Sequence, residues 1–221
     1  MTKSESEVPK ADVHKPAPGF FARFEHKWLV FWIVSMISLV LDQITKIWAR
    51  AALPTHPEGC TVPDDMIIRK CIGMPVTVID GFWDWRLSMN PGSAFGLFGS
   101  LGAGFTRIFL SLIGIVAVFG MFYMLKKSRT DQRILHWALA LVAGGAVGNL
   151  IDRIYYSVVT DFVLWKYKTH EWPVFNIADV ALVVGVGLMF IDIQKENKRE
   201  KLKRKARQEK AKQAGLVKDK L

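Results

Sequence analysis

Four long runs of apolar residues alternate with polar segments along the chain. The runs are nearly free of charged side chains and lie at Trp28–Leu41, Ile108–Leu125, Ile134–Ile151 and Ile177–Ile191. Because an α-helix rises about 1.5 Å per residue, each run with its flanks spans most of a hydrocarbon core about 30 Å thick. The pattern therefore predicts four membrane-spanning helices. The alternative, a buried soluble four-helix bundle, requires polar outer helix faces, which these runs do not show.

Two stretches between the apolar runs have the composition of β-strands. YYSVVTDFVLW at 155–165 and PVTVIDGFWDWRLSM at 75–89 are both rich in β-branched and aromatic residues. We expect them to form a small β platform beside the helices, suited to hold an extended peptide by strand addition. The predicted fold class is thus a membrane α-helical protein with four transmembrane helices and a small β platform.

The basic residues predict the orientation of the chain in the membrane. Of the formal net charge of +10, +8 belongs to the tail Lys195–Leu221, which follows the last apolar run. Residues 1–27 carry five Lys and Arg, the segment Lys126–Arg133 carries four, and 49–104 has fewer basic than acidic residues. Since basic segments stay on the cytoplasmic side, both termini are predicted to be cytoplasmic and the β platform extracytoplasmic. We interpret the tail as an anchor on anionic lipid, with a merely solvated, partly helical extension as the alternative, and expect no nucleic-acid partner.

These predictions divide the chain into three parts: a cytoplasmic N-terminal extension at 1–26, a four-helix domain at 27–193 and a basic cytoplasmic tail at 194–221. An outer loop at about 53–76 holds both cysteines, Cys60 and Cys71. On an oxidising side of the membrane these two thiols are able to form a disulfide, but spacing alone leaves two free thiols equally open. Our prediction is that they pair with each other.

Four carboxylates are predicted to meet at the outer end of the helices. Asp42 lies 14 residues after Trp28, which is about 21 Å along the first helix. Asp152 follows the third apolar run, Asp161 comes nine residues later, and Asp179 lies in the first turn of the fourth helix. A carboxylate beside so apolar a helix costs free energy unless another group pairs with it or neutralises it. Each of these carboxylates is therefore expected to have a partner group or to carry a proton.

Amide side chains accompany the carboxylates at helical spacing. Asn149, Asp152 and Arg153 stand at positions i, i+3 and i+4, on one helix face, and Asn176 precedes Asp179 by three residues. Some of these positions also fit a purely structural role, as a helix cap or as ion pairs. The pairs open to that interpretation are Asn176 with Asp179, Asp152 with Arg153, and Asp42 with Lys46.

Paired carboxylates suit the hydrolysis of a peptide bond. Because two like charges close together do not both ionise, the pair shares one proton, and one member acts as base and the other as acid. A metal site is not expected, since the cluster has no His and the chain has no HExxH or CxxC motif. A serine mechanism through Ser93 is also disfavoured, because no His partner is near and the GxSxG frame is missing. A proton- or cation-coupled transporter and a non-catalytic scaffold stay open as alternatives.

Five motifs occur in order along the chain: DQITK at 42–46, NPGSAF at 90–95, GGAVGNLIDR at 144–153, VVTDF at 158–162 and FNIAD at 175–179. Together they resemble lipoprotein signal peptidase, the signal peptidase II family, over about residues 28–193. The resemblance implies a metal-independent aspartyl endopeptidase without cofactor, a multi-pass protein of the bacterial inner membrane with its active site at the periplasmic face. Such an enzyme removes the signal peptide of a prolipoprotein just before the diacylglyceryl-modified cysteine.

The resemblance also implies roles for individual residues. It assigns the catalytic pair to Asp161 and Asp179. The residues it implies in substrate binding or in support of the site are Asp42, Lys46, Asn90, Gly92, Asn149, Asp152, Arg153, Asn176 and Ala178. The partners expected are a diacylglyceryl-prolipoprotein substrate, membrane lipids and globomycin-type inhibitors, and we expect a monomer. The chain departs from the family at Pro91, where a polar residue is usual, at Ser157, where glycine is common, and in its longer outer loop and termini.

Overall fold

The computed structural model describes residues 26–92 and 103–218, and the structural statements below concern these ranges. The helices within them are α1 (His26–Ala52), α2 (Asp64–Ile67), α3 (Ala103–Lys127), α4 (Arg133–Tyr156) and α5 (Ile177–Lys218). The strands are β1 (Thr55–His56), β2 (Ile72–Gly73), β3 (Val76–Ile79), β4 (Trp83–Asn90), β5 (Val159–Tyr167) and β6 (His170–Glu171). Ser93, the end of the NPGSAF motif and residues 1–25 of the N-terminal extension lie outside the described residues.

Helices α1, α3, α4 and α5 contain the four predicted apolar runs, and each is long and apolar enough to cross a membrane. Large apolar side chains cover their outward faces, among them Ile33 on α1, Val116 and Phe119 on α3, and Val183 on α5, which is 74% exposed. A soluble bundle would present polar side chains at such positions. The exposed faces therefore support the prediction of a multi-pass membrane protein.

Helix α4 is the most buried of the four and packs against α1, α3 and α5. Its glycines allow this close approach. A Cβ on Gly144 would lie 2.7 Å from the carbonyl oxygen of Ser35 on α1, and a Cβ on Gly145 would lie 2.6 Å from that of Ala178 on α5. Small residues of this kind let membrane helices approach closely enough for backbone contact. The first and last membrane helices are thereby held against one central helix.

The predicted β platform is an antiparallel sheet with strand order β3-β4-β5-β6. The stretch at 75–89 forms a hairpin, β3 and β4, rather than one continuous strand. The turn contains Asp80 and Gly81, and Gly81 has a φ of +68°, the left-handed conformation that an Asp-Gly turn favours. Strand β5 begins at Val159, because α4 continues to Tyr156 and ends at Ser157, which adopts a φ of +64°. Ser157 thus occupies a left-handed position of the kind that glycine adopts more readily.

The outer loop is folded against this sheet. Cys60 and Cys71 form a disulfide, as predicted. Met66 and Cys71 are buried together with Leu87 of β4 and Phe162 of β5 in one apolar cluster. The outer loop is therefore packed against strands β4 and β5 of the sheet.

Helix α5 continues without a break from the last apolar run into the basic tail. It has 42 residues and ends at Lys218. The helix continues through the tail because the tail consists largely of Lys, Arg, Glu, Ala and Gln, which favour helix. Ion pairs from Glu196 to Arg129 (2.7 Å) and from Arg199 to Asp131 (2.5 Å) connect its first turns beyond the apolar run to the α3–α4 loop. The described part of the tail is thus a helical extension, and its role as a lipid anchor stays a prediction.

Candidate active site

The four carboxylates predicted to converge lie at one end of the helix bundle. Here the C-terminal parts of α1 and α4 meet the start of α5 and the strands β4 and β5. Asp42 and Asp152 have no exposed surface, Asp161 is 2% exposed and Asp179 is half-buried. A continuous set of hydrogen bonds and ion pairs joins them, so the structure bears out their convergence.

Asp179 lies in the first turn of α5 and takes part in a capping box with Asn176. The Asp179 N–H donates to Oδ1 of Asn176 at 3.0 Å, and the Asn176 N–H donates back to Oδ2 of Asp179 at 3.2 Å. Asn149 on α4 donates a further hydrogen bond from Nδ2 to Oδ1 of Asp179 at 2.9 Å. The predicted helix cap is therefore correct. The carboxylate that forms it also lines a cavity, so the cap leaves Asp179 available for chemistry.

Asp161 faces Asp179 from strand β5, where it pairs with Ser88 of β4. Nδ2 of Asn176 donates to Oδ1 of Asp161 at 2.6 Å, and Nδ2 of Asn90 donates to Oδ2 at 3.0 Å. Asn176 thus contacts both carboxylates. Burial, and secondly the negative charge of Asp179, raises the pKa of Asp161 to about 8. Asp161 therefore keeps its proton at neutral pH.

Both carboxylates line a cavity of about 680 Å³. The lining includes the end of β4 with the two residues that follow it, from Ser88 to Gly92, and the segment from Trp172 to Phe175. Arg153 also reaches this cavity and donates from Nη1 to the carbonyl oxygen of Asn149 at 3.3 Å. The cavity is large enough for several residues of an extended peptide beside the two carboxylates.

A buried lysine connects the remaining carboxylates beneath the cavity. Nζ of Lys46 lies 2.9 Å from Oδ2 of Asp42 and 3.5 Å from Oδ2 of Asp152, and it donates to Oδ1 of Asn149 at 2.8 Å. The side chains of Lys46, Asp42 and Asp152 have no exposed surface. The predicted Asp42–Lys46 ion pair is therefore present, as one part of a larger charged cluster.

The two carboxylates of this cluster hold the backbone next to the cavity. Oδ2 of Asp152 accepts the N–H of Thr160 at 2.8 Å, and Oδ1 of Asp42 accepts the N–H of Ala178 at 2.9 Å. Thr160 and Ala178 directly precede Asp161 and Asp179 in the chain. Each cavity carboxylate is thus positioned through its neighbour's backbone, and Lys46 links the two supports.

The suggested Asp152–Arg153 ion pair is replaced by other contacts, among them one to Arg50, which was not singled out from the sequence. Asp152 pairs with Lys46 and, at 3.7 Å, with Arg50 of α1. Arg50 also donates to the hydroxyl of Thr160 at 2.7 Å and lies over the ring of a tyrosine, 4.4 Å from its centroid. The spacing of the sequence pointed to Arg50, because the charged residues 42, 46 and 50 follow one another at intervals of four on one face of an apolar helix. The segment at 172–175 offered no comparable signal.

Asn90 and Gly92 form a tight turn at the end of β4. Oδ1 of Asn90 accepts the N–H of Gly92 at 2.8 Å while its Nδ2 contacts Asp161. Gly92 has a φ of +104°, and a Cβ there would lie 2.5 Å from Cδ1 of Leu110 on α3. Because an L side chain is strained at this φ, a substitution would disturb the turn that aims Asn90 at Asp161. All nine supporting positions predicted from the sequence lie within this site or in the cluster beneath it.

Comparison with known proteins gives consistent matches over most of the chain. The family model described as signal peptidase (SPase) II matches residues 34–195. A lipoprotein signal peptidase of Pseudomonas putida is 35% identical over 187 residues, which cover 84% of this chain and 95% of the relative. One of Clostridium tetani is 36% identical over 166 residues, covering 75% and 92%. A solved structure described as a bacterial membrane enzyme matches with a TM-score of 0.60 and 25% identity over 76% of this chain and 88% of that one.

Proposed function

Because the chain belongs to the signal peptidase II family, we propose that Asp161 and Asp179 form the catalytic pair of this enzyme. The protein is an aspartic-type membrane peptidase that cleaves signal peptides from prolipoproteins. Family membership gives no support to the transporter alternative. The observation that carries the assignment of the pair is the position of Asn176. Its side-chain amide donates to the Asp161 carboxylate and its backbone N–H donates to the Asp179 carboxylate, and both carboxylates line one cavity.

The proposed mechanism begins with one proton on the pair. Asp161 holds it, since burial and the neighbouring negative charge raise its pKa to about 8. Asp179 is the ionised member, and the N–H donors of Asn149 and Asn176 stabilise a carboxylate there. Asp179 takes a proton from water, which attacks the scissile carbonyl carbon, while Asp161 donates its proton to the carbonyl oxygen.

The tetrahedral intermediate then breaks at the carbon–nitrogen bond. The proton on Asp179 passes to the leaving nitrogen, and the new hydroxyl proton of the intermediate returns to Asp161. The signal peptide leaves with a new carboxyl terminus, and the mature lipoprotein keeps a free amino group on its lipidated cysteine. The pair ends with one proton on Asp161, as it began, so proton transfer within the site balances over one turnover.

The supporting residues have positioning roles in this proposal. Asn90 orients the Asp161 carboxyl group, and Gly92 allows the turn that orients Asn90. Lys46 and the two carboxylates it joins hold the backbone before each member of the pair. Arg153 lines the cavity and brings a positive charge to the bound substrate.

The substrate is proposed to bind in an extended conformation between the end of β4 and the segment 172–175. Its acyl chains would lie against the exposed apolar faces of the membrane helices. The distribution of basic residues supports cytoplasmic termini, and hence a site at the periplasmic face of the inner membrane. In this arrangement 1–26 and 194–221 are cytoplasmic extensions of a peptidase domain at 27–193. A globomycin-type inhibitor would occupy the same cavity, and one chain would suffice for activity.

The proposal is tested by incubating the purified protein in detergent with a diacylglyceryl-prolipoprotein. Mass spectrometry should find cleavage directly before the lipidated cysteine, with no effect of EDTA. Asp161→Asn and Asp179→Asn should each abolish it, while Asp42→Asn and Asp152→Asn should reduce stability or substrate handling. If either of the latter two variants is inactive while a variant of the proposed pair still cleaves, the assignment is wrong.

A further inference from the structure

A second cavity of about 410 Å³ lies beside the first. The outer loop, the end of β4, the start of α3 and the α4–β5 junction enclose it, and we refer to it as the loop cavity. Met89 and Pro91 line both cavities, so the two are neighbours across the end of β4. The catalytic proposal assigns no role to the loop cavity.

The loop cavity combines apolar walls with two cationic side chains. Met66 and Ile67 of the loop and Val158 next to β5 give it apolar surface, and Arg69 and Arg107 line it with positive charge. No acidic side chain is among the described residues that line it. The cavity therefore suits a ligand with short apolar parts and a negative charge.

The two arginines differ in how they are engaged. Nη1 of Arg107 donates to the hydroxyl of Ser157. The Arg69 guanidinium makes no ion pair or hydrogen bond within 26–92 and 103–218. Its neighbour Lys70 pairs with Asp65 at 3.8 Å, outside the cavity lining. Arg69 is thus the cation that remains available to a ligand.

The backbone of Arg69 is held in an uncommon conformation. Its φ is +60°, a left-handed value that non-glycine residues rarely adopt. The Arg69 N–H donates to the carbonyl oxygen of Met66 at 3.1 Å, and the Lys70 N–H donates to that of Asp65 at 2.9 Å. The disulfide at Cys71 follows two residues later. These constraints fix the position from which the Arg69 side chain enters the cavity.

The loop cavity lies within reach of a substrate bound at the catalytic pair. Val158, just before β5, lines it, and Asp161 lies three residues further along the chain, which corresponds to about 10 Å of extended backbone. An extended peptide covers that distance in about three residues. A signal peptide contains a long apolar stretch, whereas the chain that follows the lipidated cysteine has no such requirement and can carry charged side chains. The cations therefore fit the second of these two segments.

We propose that the loop cavity binds the first residues after the lipidated cysteine of the prolipoprotein and favours acidic side chains there. Arg69 is the residue that determines this preference. The inference rests on the proposed function, because it concerns the same substrate.

The test compares two prolipoprotein substrates that differ only in the three residues after the cysteine, acidic in one and basic in the other. Wild type should cleave the acidic substrate with the higher kcat/KM. Arg69→Glu should shift the ratio of the two kcat/KM values at least tenfold towards the basic substrate. Arg69→Asn removes the charge but keeps a residue that tolerates the left-handed backbone, and it should give an intermediate ratio. Lys70→Glu, the matched control, should leave the ratio unchanged.

The possible failures are distinguishable. Absence of cleavage of both substrates by wild type would overturn the proposed function itself. Cleavage of both substrates with the same ratio in wild type, Arg69→Asn and Arg69→Glu would overturn only the role of the loop cavity. A third result would also overturn the role of the loop cavity in substrate binding. In it, the cleavage rates depend on the anionic-lipid content of the micelle, this dependence is lost in the Arg69 variants, and the substrate's charge has no effect. The cavity would then bind a lipid headgroup.

Discussion

Replacing Lys46 with methionine should strongly destabilise the protein. The ammonium group lies between the carboxylates of Asp42 and Asp152, at 2.9 and 3.5 Å, and none of the three side chains is exposed. Methionine has a similar length but no charge, so Lys46→Met leaves two buried carboxylates without their common cation. Removing one partner of a buried ion pair costs about 3–5 kcal/mol. We expect a loss of this size in the free energy of unfolding.

The measurement is equilibrium unfolding in mixed detergent micelles, with Lys70→Met as the matched control. The Lys70–Asp65 pair is 3.8 Å long and the Lys70 side chain is 70% exposed, so its loss should cost less than about 1 kcal/mol. Adding Asp42→Asn to Lys46→Met should restore part of the stability, because it neutralises one unpaired charge and keeps the oxygen that accepts the Ala178 N–H. The reasoning is refuted if Lys46→Met costs no more than the control, or if the double variant is less stable than Lys46→Met alone.

Three further changes test other parts of the structure. The pKa of Asp161 is raised from its ordinary value of 3.8 to about 8, so between these two pH values the folded protein binds more protons than the unfolded protein. Thermal stability should therefore fall as the pH rises through this window, and it should fall less in Asp161→Asn. Gly148→Ala places a Cβ 2.4 Å from Oδ2 of Asp42 on α1 and should lower the free energy of unfolding by about 1–3 kcal/mol. The control Gly120→Ala, with nothing within 4 Å of its Cβ, should be neutral or stabilising. Cys60→Ser opens a loop of 11-residue sequence separation and should lower the free energy of unfolding by about 3 kcal/mol, whereas an unchanged melting temperature would contradict that estimate.

The parts of the fold that were predictable are those that a local pattern determines. The apolar runs predicted all four membrane helices, because lipid requires continuous apolar surface. The spacing of Asn176 and Asp179 predicted the helix cap, which depends only on neighbouring residues. The convergence of the carboxylates followed from topology, since α1, α4 and α5 bring their polar ends to one side of the membrane. The pairing of Cys60 with Cys71 was predicted from the outer loop, although spacing alone left free thiols open.

Other features depend on contacts between distant parts of the chain and left no local pattern. The sequence left open an ion pair between Asp152 and its neighbour Arg153, but a buried carboxylate pairs with the cation that packing brings to it, here Lys46. The hydrogen bonds from Thr160 and Ala178 to carboxylates on other helices are likewise visible only in three dimensions. The sequence also did not reveal the loop cavity, because its walls come from four separate segments. The choice of Asp161 and Asp179 as the proposed pair came from the family resemblance and not from the physical chemistry of the sequence.

The central claim is that Asp161 and Asp179 act as one catalytic unit. Its most direct test is the rate of cleavage of a diacylglyceryl-prolipoprotein by Asp161→Asn, Asp179→Asn and the double variant, each first shown to be folded. Residues that act as a unit are strongly non-additive, so either single change should remove activity almost completely and the double variant should be little worse than either. Measurable turnover by one single variant, with a further proportional loss in the double variant, would contradict the claim.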